Sequence, residues 1–430
     1  MCLSKKQIAK LGKRLSESEG EVCDLDLTML QEYRKSFKAP LSDVFDQLKK
    51  MSIKIDSKSI VTYRIKRIDT IINKLRRFSK NVNGRMSLDN IGDIAGCRCI
   101  LHNENQIYRL KDLLIKHYKS NIDYSDKHDY IKNPQESGYR SLHLYVKHPK
   151  YKRKVEIQLR TIEHHDWATL VEIIDLIFGT KIKEGTKDEN QLKYFLQLFS
   201  RKENLDTREI KELIKIEQQN KIYKKISIVF RNNYLNVRKA WLSRQKKGCY
   251  YVIEANNITK TSFIENFSNY DEAENVYYDK YVGNRESNIV LTYLLDANFT
   301  QLSKAYANYI LTVHTFFDDY RAFIENNVLE ALQKENLLKL IKDLNLYRSI
   351  TVLYVSNLKY DINMLQNYSS GDNGDKNRLI KWQQELEIEI SNWKKCVKRF
   401  IMRVRQSMSY NRWSYFIVKI EFYLLNRKIK

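Results

Sequence analysis

Proline is scarce in this chain, whose 430 residues contain only Pro40, Pro134 and Pro149, together with 12 glycines. Because proline and glycine interrupt helices and mark turns and linkers, their scarcity predicts a largely helical protein without long linkers. Apolar residues make up 43% of the chain, so it can bury sizeable hydrophobic cores. A chain of this length holds about two or three domains of ordinary size.

The chain is strongly basic. It has 76 Lys and Arg against 52 Asp and Glu, a formal net charge of +24. This excess favours an anionic partner such as a nucleotide or a nucleic acid, although a solvated basic surface gives the same count.

The sequence also bears on location. The N-terminus, MCLSKKQIAK, lacks the apolar core of a signal peptide, and no apolar run reaches the ~18 residues of a membrane span. The six cysteines include no CxxC pair that would indicate a zinc ribbon. We therefore expect a cytoplasmic protein with no membrane segment.

Hydrophobic periodicity predicts an α+β domain with a mixed sheet. The predicted helices are 28–52 with a break at Pro40, 59–80, 105–118 and 161–178, and the predicted strands lie in 88–101, 138–147 and 153–160. The predicted divisions are a lead-in (1–30), this α+β domain (31–205), a basic helix with a small α/β unit (206–300) and a helical, basic C-terminal region (301–430).

The first candidate site feature is a row of cations. If residues 59–80 are helical, one stripe contains Lys66, Thr70, Lys74 and Arg77, with Arg64 at its start. Such a row can cradle a triphosphate, although a solvated helix face has the same pattern.

The second feature is the stretch DIAGCRCIL. Asp93 and Arg98 interrupt an apolar run, which is costly unless they are paired or bind a ligand. Strict alternation would put them on opposite faces, so both can reach one site only if the strand begins after Asp93 or is distorted near Gly96.

The third and fourth features are two strands with one polar face each. In GYRSLHLYV, alternation puts Tyr139 and His143 together as a platform on which a base could stack. In VEIQLR, alternation puts Glu156, Gln158 and Arg160 on one face, and His165 follows on the next helix. Exposed sheet faces without a ligand remain the alternative for both.

In this order, the four features resemble the synthetase domain of the RelA/SpoT family. The matching stretches are RIKRIDTIINKL, DIAGCR, DYIKNPQESGYRSLH and VEIQLRTIEHHDWAT, within residues 30–205. The resemblance implies a nucleotidyltransferase-like fold and a GTP pyrophosphokinase, which transfers pyrophosphate from ATP to the 3′ hydroxyl of GDP or GTP. It also implies a single-synthetase member without a hydrolase domain.

The resemblance implies a role for each matching position on the ATP side. Arg64 and Arg98 would sandwich the adenine of ATP by guanidinium stacking. The cations that would hold its phosphates are Lys66, Lys74 and Arg77. Asp93 and Glu156 would bind Mg²⁺, and Glu156 would also accept the proton of the attacking hydroxyl.

On the acceptor side, Tyr139 would stack on the guanine, and the side chains lining this part of the site would be His143, Gln158 and His165. Two dipeptides depart from the family pattern: Pro-Lys and Asn-Gly are replaced by Pro134-Gln135 and Ser137-Gly138. Losing a cation and an amide from this loop puts the identity of the acceptor in doubt more than the ATP chemistry.

Three other functions are compatible with parts of the sequence. Some small family members are toxins that pyrophosphorylate the 3′ end of tRNA, which suits the basic charge and the altered loop. A catalytically inactive nucleotide sensor is a second alternative. A His-Asp metal phosphohydrolase is disfavoured because the roughly 50 residues before the motifs contain no histidine.

The C-terminal segment 394–430 is basic and aromatic. It holds 11 Lys or Arg and one acid, Glu421 (11 − 1 = +10). Upstream, an apolar row at spacings of three and four predicts one face of a long helix that packs in a bundle, with or without oligomerisation: Trp382, Leu386, Ile390, Trp393, Val397, Phe400 and Val404. We expect this region to contact tRNA or the ribosome, against the alternative of a solvated basic face.

Overall fold

The computed structural model describes residues 3–18, 20–79, 87–135, 137–180, 182, 190–243, 248–256, 262–283, 287–295, 299–310, 314–368, 376–408 and 412–429. The chain forms two compact units. The first consists of Met1–Glu172 and Arg244–Ile310, and the second of Ile173–Ser243 and Leu311–Lys430.

Up to residue 178 the helices and strands are α1 (Lys5–Glu17), α2 (Asp24–Lys35), α3 (Lys38–Ile55), β1 (Ile60–Ile65), α4 (Ile68–Ser79), β2 (Ala95–Leu101), α5 (Glu104–Tyr118), β3 (Ile122–Asp123), β4 (Leu142–Lys147), β5 (Lys154–Thr161) and α6 (Ile162–Phe178). They are followed by α7 (Asn190–Phe199), α8 (Thr207–Asn220), α9 (Ile222–Ser243), β6 (Tyr250–Asn256), β7 (Ser262–Phe267), α10 (Tyr270–Gly283), β8 (Ser287–Tyr293), α11 (Phe299–Ala305), α12 (Ala307–Ile310), α13 (His314–Gln333), α14 (Leu337–Tyr368), α15 (Lys376–Gln406) and α16 (Arg412–Ile429).

The strands of the first unit form one mixed sheet. Within the described residues it has eight strands in the order β3-β4-β5-β2-β1-β8-β6-β7. β2 and β5 are parallel, and the other described pairs are antiparallel. The predicted α+β architecture with a mixed sheet is therefore confirmed.

The later strands differ from the predicted domain division. β6, β7 and β8 do not form a separate α/β unit, because β8 pairs with β1 through Tyr63–Tyr293 and Arg64–Thr292 and extends the first sheet. β7 had no predicted counterpart. The predicted boundaries at residues 205 and 300 thus differ from those of the compact units, since sequence patterns identify strands without showing which strands become neighbours.

Residues 59–80 differ from the predicted single helix. They form strand β1 and then helix α4. The run IVTYRI is rich in β-branched and aromatic residues, which favour a strand, and Val61, Tyr63 and Ile65 are all buried. The break between α2 and α3 lies at Ser36 and Phe37, whereas Pro40 lies in the first turn of α3, where its missing amide hydrogen is not needed.

One face of the sheet is apolar and is covered by α3 and α5. As alternation predicted, Leu142, Leu144 and Val146 of β4 are buried, and so are their counterparts on β5, Val155, Ile157 and Leu159. The opposite face carries the polar residues of the same strands, so the apolar core fixes which side chains are available for a site.

The second unit is helical in its described part, and α14 packs against α9, α13, α15 and α16. The apolar row predicted for α15 is buried from Trp382 to Val404, as expected for a helix in a bundle. The basic helix predicted at the start of the 206–300 division is instead two helices, α8 and α9, separated at Lys221, which has a φ of 53°. The stretch SSGDNGD at 369–375, whose composition predicts a turn, lies outside the described residues.

Among the described residues, no helix combines the length and the apolar character needed to cross a bilayer.

Candidate active site

Strand register brings residues from four strands into two rows on the polar face of the sheet. One row runs across β4, β5, β2 and β1 as His143, Gln158, Arg98 and Thr62. The adjacent row consists of Tyr145, Glu156, Gly96 and Arg64. Because paired residues in neighbouring strands share a face, side chains from residues 62 to 158 meet over the middle of the sheet.

These rows line a cavity of about 60 Å³. Its lining consists of Thr62, Arg64, Lys66, Asp93, Gly96, Cys97, Arg98, Glu156, Gln158 and Tyr306. Six of the predicted site residues are therefore in one place. A methyl group on Gly96 would lie 3.7 Å from Oε2 of Glu156, so glycine keeps the floor of the cavity open.

The strand β2 begins at Ala95, after Asp93. Asp93 is therefore not bound by the alternation of the strand, and it lines the same cavity as Arg98. Its carboxylate accepts hydrogen bonds from Nζ of Lys66 at 2.8 Å and from Nζ of Lys74 at 2.9 Å. Burial alone would raise the pKa of Asp93, but the two lysines lower it to about 2. Lys66 and Lys74 therefore lie side by side as predicted, although Lys66 precedes α4 instead of belonging to the same helix.

Glu156 lies at the centre of a second network. Its Oε1 is 3.1 Å from Nδ1 of His143 and accepts a hydrogen bond from the Tyr145 hydroxyl at 3.2 Å, while its Oε2 accepts one from Nε2 of Gln158 at 2.8 Å. Burial alone would raise the pKa of Glu156, but His143 holds it below its ordinary value. Burial would likewise lower the pKa of His143, but Tyr139 and Glu156 raise it to about 9.

Tyr139 joins the network through its hydroxyl group. This oxygen is 2.9 Å from Nε2 of His143 and accepts a hydrogen bond from Nη2 of Arg160 at 2.5 Å. Burial alone would raise the pKa of Tyr139, but Arg160 and His143 lower it to about 8. The loop that leads to Tyr139 turns at Gly138, whose φ of 90° suits glycine.

The sequence placed Arg160 on the same strand face as Glu156 and Gln158 but gave it no role in the site. Its Nη2 also donates to Oε1 of Gln158 at 3.1 Å, and its guanidinium lies 5.1 Å from the centre of the Tyr139 ring. Arg160 therefore orients both Gln158 and Tyr139.

A distant segment covers Arg98. Nη1 of Arg98 donates to the carbonyl of Ala305 at 3.2 Å, and Tyr306 lines the cavity. Burial, with repulsion from Arg160 and Arg64, lowers the pKa of Arg98 to about 10. Its buried Nε has no acceptor among the described residues. The guanidinium groups of Arg64, Arg98 and Arg160 are close enough to repel one another, and an anionic ligand would relieve this repulsion. No sequence motif pointed to Tyr306.

Two predicted residues, His165 and Arg77, are not among those that line the cavity. His165 is buried, its Nε2 donates to the carbonyl of Lys304 at 2.7 Å, and burial with the charges of Arg98 and Arg160 lowers its pKa well below the ordinary value. Arg77 is exposed in the last turn of α4, where its guanidinium lies 5.2 Å from the ring of Phe78. Their predicted roles remain predictions.

The predicted magnesium ligands fit a divalent cation in their chemistry. Asp93 and Glu156 both line the cavity, offer carboxylate oxygens and have lowered pKa values that keep them ionised near neutral pH. Within the described part of the chain, no cluster of three or more His, Cys, Asp or Glu could hold a metal alone. A pair of carboxylates suits Mg²⁺, which uses one or two carboxylates with water and substrate phosphates.

Helix α10 supports the site through a buried ion pair. Nη1 of Arg34 is 2.7 Å from Oε1 of Glu274, and both side chains are fully buried. Nε of Arg34 donates at 2.9 Å to the backbone carbonyl of Lys66, whose ammonium group holds Asp93. Residues 240 positions apart in the chain thus fix the backbone of a cavity residue.

Comparison with known proteins agrees with the motifs. Residues 63–174 match the family described as "Region found in RelA / SpoT proteins". The predicted resemblance to this family is therefore confirmed over residues 63–174. The chain is 34% identical over 133 residues to the GTP pyrophosphokinase YwaC of Bacillus subtilis, and 32% identical over 133 residues to YjbM, a GTP pyrophosphokinase of the same organism.

The matches are partial. They cover 29% and 30% of this chain and 62% and 61% of the two relatives, somewhat less than two thirds of their length. Among solved structures, small alarmone synthetase 1 from Bacillus subtilis is 24% identical with a TM-score of 0.33, covering 45% of this chain and 96% of that chain.

Proposed function

We propose that this protein is a pyrophosphokinase that transfers the β,γ-pyrophosphate of ATP to the 3′ hydroxyl of GDP or GTP. The observation that carries the proposal is the single cavity lined by Arg64, Lys66, Asp93, Arg98 and Glu156, residues that the RelA/SpoT motifs assign to ATP and metal binding. The names of the relatives, GTP pyrophosphokinases, support the same reaction.

In this reaction the 3′ oxygen of the acceptor attacks the β-phosphorus of ATP. A bond forms between these atoms, the bond from the β-phosphorus to the bridging oxygen of the α-phosphate breaks, and AMP leaves. Glu156 takes the hydroxyl proton. Its lowered pKa makes it a weak base, but phosphoryl transfer depends more on positioning and charge stabilisation than on base strength.

The cations of the cavity serve the phosphates. Lys66 and Lys74 stand beside Asp93, where they can neutralise charge on the transferred group, and Arg64 and Arg98 present planar groups for the adenine. A Mg²⁺ ion held by Asp93 and Glu156 would supply further charge neutralisation on the phosphate oxygens.

The cavity is small for a nucleotide. Its volume of about 60 Å³ is far below the ~300–1,000 Å³ typical of small-molecule sites. The segment Phe299–Ile310 limits this volume, because Ala305 binds Arg98 and Tyr306 lines the cavity. We propose that this segment moves away from the polar face of the sheet when a nucleotide binds.

Transfer to the 3′ end of tRNA is the second candidate. Two features favour it: the acceptor loop lacks the family cation at Gln135, and the chain carries a net charge of +24. Both functions use the same ATP chemistry, so they differ only in which hydroxyl enters beside Tyr139. An inactive nucleotide-binding module is the remaining alternative.

The test is incubation of the purified protein and Mg²⁺ with ATP labelled at the γ-phosphate, in parallel with GDP, GTP, ADP or tRNA. We expect label in guanosine tetra- or pentaphosphate, and loss of product by orders of magnitude in Asp93→Ala and Glu156→Ala. Label in tRNA alone would replace the acceptor. ATP binding without transfer to any acceptor would indicate the inactive module.

A further inference from the structure

The exposed face of α16 carries aromatic rings and cations in alternation. A row at spacings of four, three, four and four consists of Arg412, Phe416, Lys419, Tyr423 and Arg427. All five are exposed, with Phe416 at 56% and Tyr423 at 67%. Because residues three and four apart are neighbours on a helix, the row is one continuous stripe.

The opposite face anchors the helix. Val418, Phe422, Leu425 and Ile429 are buried, and α16 packs against α14. The exposed rings are therefore not the core-facing side of an amphipathic helix, because that side is already covered. Exposed aromatic rings in such a stripe indicate a surface that binds a partner.

The stripe is free of acidic side chains. Residues 412–429 contain one acid, Glu421, whose carboxylate is 3.2 Å from Nη1 of Arg348 in α14. The cations of the stripe thus face solvent without a carboxylate of their own helix beside them. The partner that complements them is anionic.

The alternation decides which anionic partner fits. A helix that lies on a membrane segregates its apolar face from its cationic face, and α16 does not. Proteins that bind single-stranded nucleic acid place rings, on which bases stack, between cations that contact phosphates. We propose that the exposed stripe of α16 binds RNA through unpaired bases.

This inference is independent of the pyrophosphokinase proposal, because the stripe belongs to the second compact unit and its test needs no catalysis. The binding test uses the full-length protein with a labelled single-stranded RNA of roughly 12 nucleotides, and a duplex RNA of the same sequence. Affinity is measured at several salt concentrations.

Two sets of changes separate stacking from charge. We expect Phe416→Ala with Tyr423→Ala to weaken single-strand binding about tenfold or more without changing its salt dependence. Removing the three cations by Arg412→Ser, Lys419→Ser and Arg427→Ser should lower the slope of log affinity against log salt by about 2. Ile388→Ala, an exposed apolar position on α15 next to Glu387, is the matched control and should bind like the wild type.

Four results would overturn the proposal. They are equal affinity for duplex and single strand, unchanged binding in the ring variant, binding to phosphatidylserine vesicles without binding to RNA, and a concentration-dependent dimer that only the ring variant abolishes. The last two would assign the stripe to a membrane surface or to a second copy of the chain.

Discussion

At the scale of single residues, the ionisation of the site depends on neighbours rather than on exposure. Asp93 is held ionised by two lysines, whereas Glu156 is held ionised by one histidine that is itself kept protonated by Glu156 and Tyr139. The two carboxylates therefore respond differently to the loss of one partner. Asp93 keeps a second lysine when either lysine is removed, whereas the ionisation of Glu156 depends on His143.

His143→Gln should move the acidic limb of the pH profile of kcat/KM to higher pH. The protonated imidazole stabilises the Glu156 carboxylate, so its loss raises the pKa of that carboxyl group. The measurement is kcat/KM for pyrophosphate transfer from pH 4 to 9, within roughly the range over which these groups titrate. His148→Gln, which removes a histidine paired with Asp43 outside the cavity, is the control.

The same pair contributes to stability with a defined pH dependence. The pKa of His143 is raised from 6.5 to about 9, so this contribution is complete below pH 6.5 and is lost as pH rises through about 9. In His143→Gln this alkaline loss should disappear. An acidic limb and an alkaline stability profile identical to those of the wild type would contradict the assigned pairing.

Tyr139 offers two separable contributions, its ring and its hydroxyl group. Tyr139→Ala should raise the Michaelis constant of the acceptor tens of fold, because base stacking is worth ~1–3 kcal/mol, and should leave that of ATP nearly unchanged. Tyr139→Phe keeps the ring but removes the oxygen bound by Arg160 and His143, so acceptor affinity should be largely retained. Steady-state kinetics with each substrate varied would test both. A parallel loss of ATP affinity in Tyr139→Ala would mean that the residue is structural.

At the scale of helices and strands, local patterns predicted most of the first 178 residues. Alternation in VEIQLR and LHLYV identified both strands and the face of each that is buried. The error at residues 59–80 arose because Ile65, Ile68, Ile72 and Leu75 match a helical period even though the first of them lies in a strand. Periodicity alone does not separate a short strand from the helix that follows it.

The segment Phe299–Ile310 could not be assigned to the site from the sequence. Its contact with Arg98 joins residues more than 200 positions apart. The acceptor is a backbone carbonyl, which every residue type has, so the sequence contains no pattern that indicates this contact. The register of β8 against β1 brings the segment near the cavity, and no local pattern specifies that pairing.

Tyr306→Ala should lower the Michaelis constant of ATP. The side chain lines the cavity and its hydroxyl group bonds to Thr292 on β8, so its removal enlarges the cavity and weakens one attachment of the segment. Loss of one hydrogen bond of this kind corresponds to about two- to tenfold. Thr292→Val removes the partner from the sheet side and should act in the same direction, as measured by ATP titration. A raised Michaelis constant in both variants would mean that Tyr306 helps to bind ATP instead.

At the scale of the whole molecule, the candidate catalytic unit is assembled from two stretches of chain separated by more than 70 residues. Residues 1–172 carry the motifs, and residues 244–310 contribute β6 to β8, α10 and the segment that covers the cavity. The sequence motifs predicted the candidate catalytic residues because these residues lie within one stretch of the chain. The motifs did not indicate the ion pair that supports the site, because Arg34 and Glu274 are far apart in sequence and become neighbours only in the folded chain.

That pair provides the last prediction, because two acidic residues of α10 contact the N-terminal helices in contrasting surroundings. Glu274 is fully buried against Arg34, whereas Asp271 is 3.9 Å from Lys38 and largely exposed. Glu274→Ala should lower the free energy of unfolding by about 3–5 kcal/mol, because it leaves the charge of Arg34 buried without a partner. Asp271→Ala should cost less than about 1 kcal/mol, as exposed ion pairs do. Denaturant unfolding of the full chain measures both.

Since Arg34 also binds the carbonyl of Lys66, pyrophosphate transfer should fall in Glu274→Ala and persist in Asp271→Ala. Equal stability of the two variants would show that α10 does not support the site through this pair.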